Sequence, residues 1–222
     1  VDTTNPEAYE FYLKAKHKYN KRENTDDTEI VRGLLHKAIE LDDNLIAAKL
    51  LLGRTYYEIG DYDKAMEIFS QAQKQAEKLA DKAGMGTSLG NIGIVHVYKG
   101  DYDKALGYHK RSLVIEEELG DKAGMGTSLG NIGTVHYYKD DLDRALGYYK
   151  RSLVIQKELG DKAGMGTSLG NIGIVHKSKG DHDKALDYYA RSLAIFEELS
   201  DKAPNKEAES TTGPDALPSP NL

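Results

Sequence analysis

The chain has 222 residues, a formal charge of −6 and no cysteine. That charge argues against a nucleic-acid binder, whose affinity rests on basic surface, and the missing thiols exclude disulfides, thiolate catalysis and cysteine-based zinc sites. No run of about 18 apolar residues reads as a membrane span and no signal-peptide pattern opens the chain, so the expectation is a cytoplasmic protein without a membrane partner.

Residues 1–44 read as an irregular N-terminal helical hairpin. Pro6 suits a helix start, the polar stretch from Asn20 to Asp27 breaks the chain, and a second helix runs to about Leu41. The opening on Val1 rather than Met agrees with an excised piece of a larger protein or a processed start. Residues 45–80 form a degenerate copy of the unit that follows. From Asp81 a forty-residue block, DKAGMGTSLGNIGIVHVYKGDYDKALGYHKRSLVIEEELG, is written three times, over 81–120, 121–160 and 161–200. The second copy departs from the first at eight positions, among them Ile94/Thr134, Val97/Tyr137, His109/Tyr149 and Glu116/Gln156. Self-similarity at a fixed period of roughly 20–50 residues marks stacked units, none of which buries its apolar face alone.

Inside the block the period is helical. Leu89, Ile92, Gly93 and His96 fall at i, i+3, i+4 and i+7, and Ala105, His109, Ser112 and Leu113 recur similarly. Between the two runs Gly100 can end the first helix in a left-handed cap and Asp101 can cap the second. Each block is therefore a helical hairpin. Gly120 and Asp121 repeat the signal, which places the next first helix from about Lys122 to Lys139. Another copy begins at Asp201 and fails at Pro204, so residues 201–222 read as a proline-rich tail. Pro214, Pro218 and Pro220 pre-order an extended chain with Leu217 as an apolar anchor, a strand suited to a concave groove of its own molecule or a neighbour's.

The signature positions Leu89, Ile92, Gly93, His96, Gly100, Asp101, Tyr102, Ala105, His109 and Ser112 resemble the tetratricopeptide repeat. The likeness recurs in register at Leu129 to Ser152 and Leu169 to Ser192, departing in the turns at Asp140, Leu142 and His182. A weaker copy runs from Ala47 through Leu52, Gly53, Tyr56, Gly60, Asp61, Tyr62, Ala65 and Phe69 to Ala72. The family's common period is about 34 residues. This longer variety, with its Leu-Gly-Asn tripeptide, resembles the repeats of Pins-type polarity scaffolds and kinesin light chains, and the opening segment is similar to regions attached to bacterial signalling proteins such as nucleotide cyclases. The resemblance implies an all-α, right-handed superhelical solenoid of antiparallel helix hairpins.

Three chemistries compete with a purely structural account of the repeated residues. His96, His136 and His176 recur once per block, but equivalent side chains in successive layers stand on the order of 8–10 Å apart, whereas zinc holds its nitrogens at about 2 Å. They cannot share a metal, and packing is their expected role. GMGTSLG, at Gly84, Gly124 and Gly164, lacks the preceding strand and Lys-Ser/Thr pair of a phosphate loop. Its glycines fall along a helix instead, where Gly90 would leave the groove floor without a side chain. The turn carboxylates, Asp101 and Asp103 and their equivalents, are accounted for by helix capping. No nucleophile, base and orienting group converge, so neither catalysis, a metal nor a cofactor is expected.

What remains is the stripe beside the core stripe, namely Asn91, Ile94 or Val95, and Tyr98, which faces the concave side in the family. Differences between copies fall there, as Ile94/Thr134/Ile174, Val97/Tyr137/Lys177 and Tyr98/Tyr138/Ser178. Asn91, Asn131 and Asn171 stay the same, and an amide offers both a donor and an acceptor. By resemblance, this Asn holds ligand main chain; the competing reading is an amide bonded within its own repeat. The predicted peptide-binding set adds Arg54 and Tyr57 to these residues. Gly90, Gly130 and Gly170 stand where a chaperone-tail clamp needs Lys or Arg, which speaks against recognition of a C-terminal carboxylate. The sequence thus predicts a protein-interaction scaffold binding an extended peptide or partner segment, as a module of a larger signalling or assembly protein. The alternatives are a self-assembling module, through Leu186, Leu193, Ile195 and Phe196 of the last helix, and a regulatory segment of a catalytic chain such as a nucleotide cyclase.

Overall fold

The computed structural model describes residues 5–22 and 24–201, which form five successive pairs of α-helices: α1 (Pro6–Asn20) and α2 (Thr25–Leu41), α3 (Ile46–Glu58) and α4 (Tyr62–Lys78), α5 (Lys82–Tyr98) and α6 (Tyr102–Leu119), α7 (Lys122–Tyr138) and α8 (Leu142–Leu159), and α9 (Lys162–Ser178) and α10 (His182–Asp201). No strand occurs among the described residues. Each helix packs on the next in the chain, and the pairs stack into an all-α solenoid. Of the predicted tail, 201–222, Asp201 still belongs to α10 and residues 202–222 lie outside the described residues.

Local chemistry sets the helix ends. Asn5 Oδ1 accepts from the amides of Glu7 and Ala8, with Pro6 in the first turn. Asn24 caps α2, so the expected polar break is shorter than Asn20 to Asp27: Asp26 and Asp27 already lie in the first turn. From α3 onward one device closes every junction. The amide of an Asp reaches back five residues to a carbonyl, as Asp101 N to His96 O and Asp121 N to Glu116 O, both at 2.9 Å. The residue before that Asp is left-handed: Gly60, Gly100, Gly120, Gly160 or Gly180, and, without glycine's freedom, Ala80 and Asp140. The Asp side chain then caps the following helix at Asp61, Asp81, Asp121, Asp141 and Asp161. Asp101 departs from its expected capping role. Its carboxylate makes no cap bond and instead sits 3.1 Å from His96 Nδ1 and 3.3 Å from Lys104 Nζ.

The core stripe is Leu89, Ile92 and Val95 with their copies Leu129, Ile132, Val135 and Leu169, Ile172, Val175, all buried. Val95 is therefore a core residue, correcting its placement beside Ile94. Neighbours along a helix are rotated by about 100°, enough to send Ile94 to the open side and Val95 inward. Glycine on the first helix lets a ring on the second approach: a Cβ added at Gly53, Gly93, Gly133 or Gly173 would stand 2.5, 2.6, 2.9 or 2.7 Å from the ring of Phe69, His109, Tyr149 or Tyr189. His96, His136 and His176 stack on Tyr108, Tyr148 and Tyr188 at 5.3, 5.3 and 5.4 Å between ring centroids. No cluster of His, Asp or Glu among the described residues could hold a metal ion.

Polar contacts stitch the layers. Ser112, Ser152 and Ser192 donate to the carbonyls of Gly86, Gly126 and Gly166 at 2.7, 2.6 and 2.7 Å. Between hairpins Ser128 donates to Glu116 at 2.9 Å, and Ser168 to Gln156 at 2.7 Å. Lys99, Lys139 and Lys179 pair with Asp63, Asp103 and Asp143 of the preceding hairpin, which gives the second carboxylate of these three turns an interlayer partner. Leu113 is buried against Leu129 and Ile132 of the next hairpin, whereas the equivalent Leu193 on α10 is 58% exposed.

Glu116 carries a carboxylate where the next layer carries an amide. Burial pushes its pKa up, against the opposing donors Ser128 and Ser112, and its Oε2 has no hydrogen-bond partner. Glu116→Gln keeps the Ser128 acceptor and removes the charge, and Gln156 shows that the site accommodates the amide. Thermal melting at pH 7 should rise by roughly 2–4 °C, the equivalent of about 1 kcal/mol. The advantage should shrink on acidification, as Glu116 in the parent protein takes up its proton.

Candidate peptide-binding groove

The first helices of successive hairpins touch, α3 with α5 and α5 with α7, and clefts open between them with a residue of the second helix as floor. One cleft, of about 210 Å³, gathers Arg54, Tyr57, Asn91 and Ile94 over Phe69. Another, of about 230 Å³, gathers Tyr57, Ile94, Val97, Tyr98, Asn131 and Thr134 over His109. Tyr57 and Ile94 form a wall shared by the two. Eight of the residues predicted from sequence line one or both of these clefts.

Aromatic contacts fix the walls. Tyr57 meets Tyr98 edge-on at 5.3 Å between centroids, and Tyr62 packs on Tyr98 at 5.4 Å. Burial, then the neighbouring Tyr98 hydroxyl, holds the Tyr57 phenol well above its ordinary pKa, so it remains a neutral donor. Arg54 is paired with Glu58 at 3.3 Å. Glu58 also holds Arg22 at 2.7 Å and the Tyr19 hydroxyl, which ties the N-terminal hairpin to this edge of the surface.

In the next layer Thr134 Oγ1 lies 3.2 Å from Gly130 O and 3.0 Å from the Tyr149 hydroxyl. Tyr137 reaches Ser178 across α7 and α9 at 3.3 Å between hydroxyl oxygens. Tyr138 turns aside from that contact and stacks on Tyr102 at 5.6 Å. Asn171, Ile174 and Lys177 line neither described cleft, and the last two are exposed.

Asn91, Asn131 and Asn171 are each half-buried, and none of their amides is hydrogen-bonded to a residue that the structure describes. The glycines before them are not an open floor. A Cβ on Gly90, Gly130 or Gly170 would point at the hydroxyl of Ser112, Ser152 or Ser192, at 3.5, 3.6 or 3.4 Å, so these positions face the second helix of their own hairpin and correct the expectation of a bare groove floor.

The floor comes from residues that the helical period assigns to the core. His109 has no exposed surface, neither ring nitrogen has a hydrogen-bond partner, and burial lowers its pKa to about 4. Leaving a buried polar group unpaired costs about 1–3 kcal/mol. A signal was present in the copies: this position reads Phe69, His109, Tyr149 and Tyr189, varying as the open stripe does.

Comparison with protein families matches the Tetratricopeptide repeat over residues 44–118 and 124–198. No curated protein gives a significant match. Among solved structures, BtubC (BKLC) from P. vanneervenii superposes with a TM-score of 0.68 at 20% identity, over 95% of this chain and 95% of that one. A Rap protein complexed with Competence and Sporulation Factor gives 0.77 at 19% identity, over 90% of this chain but 56% of that one. A Podosopora anserina putative kinesin light chain with nearly identical TPR-like repeats gives 0.66 at 12% identity, over 87% of this chain and 96% of that one. At such identities the likeness is one of fold.

Proposed function

The chain belongs to the tetratricopeptide repeat family, and from that premise we propose that it is a protein-interaction scaffold holding an extended partner segment along α3, α5, α7 and α9. The observation that carries this reading is the recurrence of an unpaired, half-buried amide in the last three layers, at Asn91, Asn131 and Asn171, two of them beside a cleft. Each amide can donate to and accept from peptide main chain, which supplies affinity without demanding a sequence. The clefts then supply selectivity through Tyr57, Tyr98 and Ile94, since tyrosine offers large rigid contact area with a polar tip. That a structural relative was solved with a bound factor supports such a use of the fold.

The test is selection from a displayed random peptide library. Asn91→Ala, Asn131→Ala and Asn171→Ala combined should leave thermal stability within about 0.5 kcal/mol, as expected for side chains with no partner to lose. Peptides selected on the parent protein should bind the triple variant at least about tenfold more weakly, the sum of a few hydrogen bonds of about 0.5–1.5 kcal/mol each. Equal affinity would refute the amide row. A large fall in melting temperature would assign the amides to packing instead.

A further inference from the structure

Every second helix before the last is covered by the first helix of the next hairpin. On α8 the face formed by Ala145, Leu146, Tyr149 and Leu153 is packed under Ile172 and Val175 of α9. One period later α10 carries the same four residues, as Ala185, Leu186, Tyr189 and Leu193. No helix among the described residues covers them, and Leu186 is 67% and Leu193 58% exposed. We propose that this end face is a docking site for an amphipathic helix of a partner protein. That helix carries the pattern of this chain's own first helices, with Leu, Ile and Val at i, i+3 and i+6 and Lys at i+10.

The end face is built to be covered. The terminal unit of a stacked array needs a polar outer surface in water, yet the residues that change at this end run the other way. The position of Lys110 and Lys150 becomes Ala190, and that of Glu116 and Gln156, which accept from serines of the next hairpin, becomes Phe196. Charge points to the same occupant. Asp63, Asp103 and Asp143 each take a lysine from the following hairpin, whereas the equivalent Asp183 is exposed and has no ion-pair partner among the described residues. The matching lysine one layer earlier is Lys179, ten residues beyond Leu169. The chain's own continuation does not carry this pattern, because Glu209, Thr212 and Asp215 stand one period beyond Leu169, Ile172 and Val175. A second copy keeps its matching stripes buried within its own stack, as at Leu129 and Ile132. A helix laid by its apolar face on this surface therefore comes from another protein.

This inference is independent of the groove reading. The probe is a labelled synthetic peptide of residues 121–140 with Gly126→Ala, Ser128→Ala, Gly130→Ala and Gly133→Ala. In the protein a Cβ on each of these glycines would meet α8 of its own hairpin, a contact that the peptide does not make, so alanine raises helix propensity and leaves the docking stripe intact. Ser128→Ala suits the apolar Phe196. The probe should bind the full chain saturably and gain helix content as it does. Leu193→Glu should weaken it at least about tenfold by setting a charge against the stripe, and should melt with the parent protein because the side chain it replaces is exposed. Asn91→Ala, Asn131→Ala and Asn171→Ala combined should leave the probe's affinity unchanged, so either reading can fail without the other. Absence of binding, equal binding to Leu193→Glu, or loss of binding in the triple Asn variant would overturn the proposal. A parent protein that sediments as a dimer and becomes monomeric in Leu193→Glu would overturn it by giving the face to a second copy. Binding that appears only once residues 202–222 are removed would overturn it by giving the face to the chain's own tail.

Discussion

Gly133→Leu is expected to melt about 6–12 °C below the parent protein, the largest single-residue loss among the positions considered. A Cβ alone at residue 133 would stand 2.9 Å from Cδ1 and Cε1 of Tyr149, and the ring cannot swing clear. It is 3% exposed, packed with Ala145, Ile172 and Val175, and its hydroxyl is held by Thr134. Overpacking of this kind costs about 1–3 kcal/mol, with the upper end fitting a clash against a ring fixed at both ends, and each kcal/mol lowers the midpoint of a chain this size by roughly 2–4 °C. Because repeat stability is a sum over units and their interfaces, damage to the α7–α8 hairpin weakens its contacts on both sides. Gly147 is the contrast: nothing lies within 4 Å of an added Cβ, so Gly147→Ala should be neutral or stabilising. Circular dichroism melting decides, and a Gly133→Leu variant melting with the parent protein would show that the α7–α8 contact is not the one described.

The second large effect appears on acidification. Between pH 6.5 and 4 the parent protein should lose roughly 3 kcal/mol of folding free energy that His109→Phe retains. The unfolded imidazole takes its proton near 6.5, while the buried one resists until about pH 4 because desolvation opposes its charge. The contribution is therefore fully present above pH 6.5 and is lost as pH falls through that window. Glu116 acts in the opposite sense, since its raised pKa favours the folded state as pH falls towards 4.5. His136, lowered by desolvation, adds to the loss. Both groups are common to parent and variant and cancel in the difference. Asp63 and Asp101, whose pKa values are held down by hydrogen bonds from Lys99 and His96, titrate below the window. Urea denaturation at a series of pH values measures the gap, and parallel curves would mean that the His109 imidazole finds a partner in solution.

Much of the architecture is decided by local chemistry, which is why a single sequence carries it. The Gly-Asp junctions at Gly100 and Gly120 specify where helices stop, because only a left-handed residue lets the following Asp amide reach back to the last turn. The near-identical forty-residue blocks then favour equivalent stacking of their hairpins, and α7 ends within a residue of the predicted boundary. Part of the open stripe is likewise legible through Ile94, Val97 and Tyr98, which vary between copies, as side chains that need not pack are free to do.

The tertiary structure alone decided three things. Val95 joined the core because it packs with Ala65 and Phe69 of the preceding hairpin; the helical step separates it from Ile94, but only the stacking of hairpins supplies the partners that bury it. Asp101 gave up its cap bond to face His96 and Lys104, a competition between partners that only their placement resolves. His109 became the unpaired floor of a cleft because its surroundings come from Gly93 on its own hairpin and Asn131 and Thr134 on the next. A sequence determines by itself what is settled within a few residues: helix ends, turns and the polarity of each face. Which side chains from different layers meet, and which polar atom is left without a partner where they do, depends on the stacking of whole hairpins, and there the chemistry of the proposed site arises.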